Sequence, residues 1–177
     1  NLYFDYGSHF LKETGIKVLD KIIFNKSNSK KFHILGNLKG GCYFRNKLCD
    51  VSPFVDTKLL PRKIYSAGIK EILSKKTYFK EEKNLEAQIK NKFGKVFFKS
   101  IFEPIIKTKT FNCSLNKLGL DVHNYFGLGR IKAFSPETSR EIKKKTYFNN
   151  VFSYHYYFEG ESKINSYYPK KGGAGKI

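Results

Sequence analysis

Methionine and tryptophan are absent from this chain, and arginine is scarce: Arg45, Arg62, Arg130 and Arg140 are the only four among 34 basic residues. The remainder are Lys, and against 15 acidic residues they leave a formal net charge of +19. A charge of that size invites nucleic acid as a partner. The shortage of arginine argues against that as the main function, because base readout and bidentate phosphate recognition lean on the guanidinium fork. The lysines are also scattered along the chain rather than gathered in one stripe. They accompany abundant Asn, Ile, Phe and Tyr, the pattern an AT-rich genome produces. A solvated basic surface is the simpler reading. With Asn1 at its start and no Met anywhere, the chain reads as a fragment or a processed form.

Other absences narrow the chemistry. No run of 18 apolar residues is present and no signal peptide opens the chain, so a membrane span is not expected and a cytoplasmic location is. Cysteine is limited to Cys42, Cys49 and Cys113, without a C-x-x-C spacing or an accompanying His-x-x-x-His. That excludes a recognisable zinc site and fits reduced thiols, so no metal is expected. Gly127-Leu128-Gly129 fails as a dinucleotide fingerprint, since Lys132 stands in the third glycine place. Gly172-Gly173-Ala174-Gly175-Lys176 fails as a phosphate loop, with Lys170 in place of the first Gly and Ile177 in place of the Ser/Thr. His9, His33, His123 and His155 have no Ser or Cys partner at a catalytic spacing. No catalytic residue is assignable from chemistry alone.

What is plentiful is aromatic carbon, with 17 Phe and 12 Tyr in 177 residues, enough for one domain with a real core. Ile16, Val18, Leu19, Ile22 and Ile23 predict a short helix from Gly15 to Phe24, with Thr14 as its cap. From Phe32 to Val55, Gly and Asn breaks between aromatic runs predict strands and hairpins. Pro53 and Pro61 bracket an irregular segment. Ser66 marks a helix start ahead of Ile69, Ile72 and Leu73, with Gly68 weakening that helix by about 1 kcal/mol relative to Ala. Asn84 caps a helix on which Leu85, Ile89 and Phe93 recur. Gly94 interrupts it, and Phe97, Phe98, Ile101, Phe102 and Ile105 continue the period until Pro104 kinks or restarts it. Ser135-Pro136-Glu137-Thr138 reads as a helix start or a turn. Val151 to Phe158 reads as a strand, and so does Ile164 to Tyr168.

Two small-residue turns frame all of this. Phe4-Asp5-Tyr6-Gly7-Ser8-His9 holds a glycine turn with a His at its exit, and Tyr168-Pro169-Lys170-Lys171-Gly172-Gly173-Ala174-Gly175 holds another at the far end. Glycine there lets backbone approach a ligand closely, and freed N–H groups can cradle a phosphate or a flavin ring. The first turn resembles the F-D-x-G-x-H element of the FAD-dependent amine oxidase and protoporphyrinogen oxidase superfamily, including its UDP-galactopyranose mutase-like branch. The stretch from Lys92-Phe93-Gly94 through Phe97-Phe98 and Phe102 to Pro104 is similar to the family's "fG … ff … p" helix, with Lys107 or Lys109 matching a following lysine. The last turn resembles the family's Y-P-x-x-G-G-x-G.

The resemblance implies an α+β fold of mixed and antiparallel strands with a helical substrate-domain segment, a fragment of a two-domain flavoprotein. Flavin-edge segments are expected at 1–12 and 164–177, and a substrate-domain-like part at 32–160. It implies FAD as cofactor of the intact protein, bordered here by Gly7, Ser8, His9, Gly172, Gly173 and Gly175. The G-x-G-x-x-G that grips the pyrophosphate is missing, so the chain alone should not hold FAD tightly. The implied partners are a small-molecule or sugar-nucleotide substrate and the rest of the same flavoprotein, with a role in bacterial surface polysaccharide or lipopolysaccharide synthesis. A basic module binding nucleic acid or an anionic surface, and a non-catalytic interaction domain, are the alternatives from other classes.

Overall fold

A helix that contains glycine at its centre must either bend or find partners for the backbone groups it frees, and this chain does both. The computed structural model describes residues 10–24, 30–35, 40–50, 52–75, 82–120, 128–153 and 165–171. The chain divides into two units, Asn1–Lys39 with Gly160–Ile177, and Gly40–Glu159. The helices of the second unit are organised around that glycine.

Helix α2 (Arg62–Leu73) follows Pro61, whose carbonyl accepts the first helical bond from Tyr65 N at 3.0 Å. Its cap therefore stands five residues before the expected cap at Ser66, at a proline that has no backbone N–H to lose by preceding the helix. Gly68, expected only to weaken the helix, is buried under the Phe97 ring. A Cβ there would lie 2.4 Å from a ring carbon, so the glycine is what lets the next helix approach. That helix, α3 (Leu85–Phe97), is capped as expected: Asn84 Oδ1 accepts from Ala87 N at 2.9 Å. Leu85, Ile89 and Phe93 are all buried.

At Gly94 the backbone leaves helical space, with φ +84° and ψ 165°, a region essentially reserved for glycine. The break orphans carbonyls on one side and N–H groups on the other. Two residues four apart satisfy both sets, Glu71 in the last turn of α2 and Lys75 just past its end. Lys75 Nζ donates to Lys90 O at 3.0 Å and also to Asn91 O. The Glu71 carboxylate accepts from Lys95 N at 2.8 Å and from Val96 N at 3.0 Å. A cation at a helix C-terminus and an anion at an N-terminus also suit the two half-helix dipoles. Beyond the break the helix runs on in wide π-type turns over Phe98–Phe102 and Pro104–Phe111. Pro104 opens the second of these, so the expected restart is present. Phe97, Phe98, Ile101, Phe102 and Ile106 are buried, and Phe93 stacks on Phe102 with centroids 4.4 Å apart.

The rest of this unit is short strands and helices laid against the same core. Strands β3 (Cys42–Phe44) and β4 (Lys47–Cys49) form a hairpin in which Arg45 and Asn46 both take positive φ, the requirement of a two-residue type I′ turn. Strand β5 (Val55–Asp56) pairs in parallel with β6 (Ile131–Lys132). Helix α4 (Pro136–Ile142) starts as its sequence dictates, with Thr138 N donating to Ser135 Oγ at 3.3 Å. Helix α5 (Thr146–Val151) corrects one expectation: Val151 ends a helix rather than beginning a strand, and Phe152 bridges Ile131. Residues 154–158 of that expected strand lie outside the described residues.

The first unit is a three-stranded antiparallel sheet in the order β1 (Leu11–Lys12), β7 (Ser166–Pro169), β2 (Phe32–Ile34). Helix α1 (Lys17–Ile23) starts two residues later than expected, and Thr14 is not its side-chain cap. Instead the Asp20 carboxylate accepts from Thr14 N at 2.7 Å, Thr14 Oγ1 at 2.8 Å and Gly15 N at 3.1 Å. The fold is thus α+β, with mixed strand pairing.

Replacing Gly94 with Ala forces a Cβ to within 2.5 Å of Glu71 Oε2 as well as into the wrong backbone region. Urea unfolding should show a loss of about 1–3 kcal/mol. In a Glu71→Ala background the same substitution should cost less, since the collision is gone and only the backbone penalty remains.

Candidate functional site

The residues expected to border a flavin, Gly7, Ser8, His9, Gly172, Gly173 and Gly175, lie outside the described residues. The strands that adjoin them are described. In the register Leu11↔Tyr167 and Lys12↔Ser166, β1 and β7 run antiparallel as direct neighbours. The chain therefore reaches β1 and leaves β7 at the same end of one sheet. Phe10 and Tyr168 mark that end, with ring centroids 5.9 Å apart, and Lys170 N donates to Lys31 O at 2.8 Å to extend the ladder with β2.

The opposite end of the β1–β7 pair is tied by one carboxylate. Glu13 accepts from Tyr167 OH at 2.6 Å, from Asn165 Nδ2 at 3.2 Å and from Asn165 N at 3.3 Å. The tyrosine hydroxyl, followed by the Asn165 amide, holds the Glu13 carboxyl below its ordinary range, and the same bond pushes Tyr167 up. Tyr167 also stacks on Phe24 at 4.1 Å and meets Phe32 edge-on. The central strand is thus anchored by its aromatic side chain on one face and by its hydroxyl at the edge. His33 sits on β2 opposite Tyr168, exposed; His9, His123 and His155 lie outside the described residues.

The other unit holds two polar centres of its own. In the first, the buried Lys132 places Nζ 3.6 Å from Asp56 Oδ2 and 3.6 Å from Cys49 Sγ, while its carbonyl accepts from Thr57 Oγ1 at 2.9 Å. Asp56 Oδ1 in turn accepts from Lys58 N, and Tyr65 OH donates to Ala133 O at 2.9 Å. Burial, then the charge of Asp56, pushes the Tyr65 hydroxyl up. Among the described residues no three His, Cys, Asp or Glu gather to hold a metal ion.

In the second centre, cations gather at the C-terminal end of α5. Arg130 Nε donates to Asn149 O at 3.1 Å, and Lys143 Nζ donates to Phe152 O at 2.6 Å and to Asn149 O at 3.5 Å. Tyr147 OH donates to Lys92 O at 3.4 Å. Burial, reinforced by the Arg130 charge, pushes the Lys92 ammonium down to about 8. Sequence reasoning missed these lysines because a Lys is ordinarily read as solvated surface; only the helix ends they cap could have pointed to them. Lys107 is exposed on the π-type segment that follows Pro104, and that segment carries Lys109 as well. No described helix is long and apolar enough to cross a membrane.

Comparison with protein-family models, with curated proteins and with solved structures finds no match to this chain.

The lowered Lys92 makes stability depend on pH in a definite direction. Below about pH 8 the ammonium is held charged against its surroundings, and the penalty is fully present. Between about 8 and its ordinary 10.5 the unfolded chain binds more protons than the folded one, so stability rises with pH. A Lys92→Met variant should lose that rise and gain on the order of 2 kcal/mol at pH 7. Urea titrations of both proteins at pH 7 and pH 9.5 check this; equal slopes in the two would contradict it.

Proposed function

We propose that this chain is the flavin-edge and substrate-domain portion of an FAD-dependent oxidoreductase or mutase-like enzyme of the amine oxidase and protoporphyrinogen oxidase superfamily, on its UDP-galactopyranose mutase-like side. The observation that carries the reading is the direct pairing of β1 with β7. The two segments resembling flavin-edge turns stand at almost opposite ends of the sequence, and the strands adjoining them reach the same end of one sheet. The buried helix broken at Gly94 gives further support, since it is the stretch that resembles the family's helical motif.

On this reading Gly7, Ser8, Gly172, Gly173 and Gly175 leave room for backbone to lie against a planar ring, and His9 offers a ring nitrogen for a hydrogen bond. The cofactor supplies the redox or group-transfer chemistry. The protein's residues position a small-molecule or sugar-nucleotide substrate and restrict water. A bacterial cytoplasmic role in surface polysaccharide or lipopolysaccharide synthesis fits the mutase-like motifs. The chain lacks the pyrophosphate-binding fingerprint, so the reading also makes the isolated chain inactive and dependent on the rest of its flavoprotein. A basic binding module is the weaker alternative, because Lys75, Lys132 and Lys143 all serve internal partners.

A longer form of the protein carrying a G-x-G-x-x-G upstream of Asn1 should purify yellow with FAD, while residues 1–177 alone should be colourless. In the longer form Gly173→Val should lower flavin content or rate, because a β-branched side chain fills the space a ring needs. Stoichiometric flavin on the isolated chain would show that the binding determinants are misplaced. Unchanged flavin content and rate in the variant would remove the last turn from the site.

A further inference from the structure

Two thiols stand opposite each other in the β3–β4 hairpin, and we infer that Cys42 and Cys49 form a dithiol site that reacts with small-molecule disulfides and closes to a disulfide across the two strands. Nothing in this depends on the flavin reading. The register is Phe44↔Lys47, Tyr43↔Leu48 and Cys42↔Cys49. Arg45 and Asn46 fix it, because a two-residue turn with both φ values positive leaves no residue to slip. Directly opposed residues on antiparallel strands have Cα atoms about 4.5–5.5 Å apart and send their side chains to the same face. That separation falls within the roughly 4.4–6.8 Å a disulfide spans. Tyr43 and Leu48 alternate to the other face and are exposed.

The surroundings also suit thiol exchange. Both cysteines are partly exposed at the edge of the core, against which Cys42 packs. Lys132 Nζ lies 3.6 Å from Cys49 Sγ, which sets a positive charge beside that sulfur. Burial, then the neighbouring Cys49, then Asp56 push the Cys42 thiol up. An order of events follows. Cys49, as thiolate, attacks one sulfur of an oxidised small disulfide such as glutathione disulfide; the reagent's S–S bond breaks and one reduced thiol leaves. Cys42 then loses its proton to solvent and attacks the Cys49 sulfur, expelling the second thiol. Two protein thiols are oxidised and one reagent disulfide is reduced to two thiols, so the exchange balances.

Cys113 is not opposite a cysteine in any described strand pair and serves as an internal reference. The full chain, fully reduced, is treated with glutathione disulfide and then examined by thiol titration, intact mass and peptide mapping. The expected product has one free thiol, a mass lower by two hydrogens, no retained glutathione, and a Cys42–Cys49 linked peptide. Cys42→Ser should instead keep one glutathione on Cys49, since the thiol that displaces it is gone. Three unreacted thiols, glutathione retained at Cys42 or Cys49 in the unsubstituted chain, or a bridge that includes Cys113 would overturn the assignment.

Discussion

The break at Gly94 and the two side chains that close it are the constraint on which the helical unit depends. An interrupted buried helix leaves polar backbone groups that cost roughly 1–3 kcal/mol each when unpaired. Here the end of α2 and the residues just past it supply both answers, with the Lys75 ammonium on the carbonyls before the break and the Glu71 carboxylate on the N–H groups after it. Burial pushes Lys75 down and the charge of Glu71 partly restores it. The same pairing of helices requires Gly68, because the Phe97 ring occupies the place of its side chain. Two glycines that weaken helices in isolation are therefore what allows α2 and the broken helix to pack.

Elsewhere the same solution recurs on a smaller scale. Arg130 and Lys143 hold the carbonyls at the end of α5, and Asp20 gathers the N–H groups ahead of α1. Formal charge of +19 suggests a surface that repels itself and attracts anions. Part of that charge instead acts inside the fold, where a long aliphatic stem crosses apolar surface and its ammonium meets backbone oxygen. This weakens any argument from total charge to a polyanionic partner.

Much of the fold was legible in the sequence. The Asn84 cap, the Leu85–Ile89–Phe93 stripe, the interruption at Gly94, the restart at Pro104 and the Ser135-Pro136 helix start all follow from local chemistry, and the structure has each of them. What escaped was set by partners far away in sequence. Ser66 looked like a cap, but Pro61 had already started the helix. Val151 looked like the start of a strand because its run is aromatic, yet Arg130 and Lys143 cap a helix there. Strand β6 is only two residues long and is defined by its pairing with β5 and Phe152, which no local pattern announces. For the candidate site, the sequence supplied the two turns, and the pairing of β1 with β7 could come only from the fold.

The claim that most needs testing is that two turns separated by most of the chain border one flavin. A crystal structure of the longer, FAD-loaded protein tests it directly. The account predicts Gly7 and Gly173 on a common cleft, with backbone of both turns in van der Waals contact with the isoalloxazine ring. A structure with the turns on opposite faces, or with the ring bordered by neither, would contradict it.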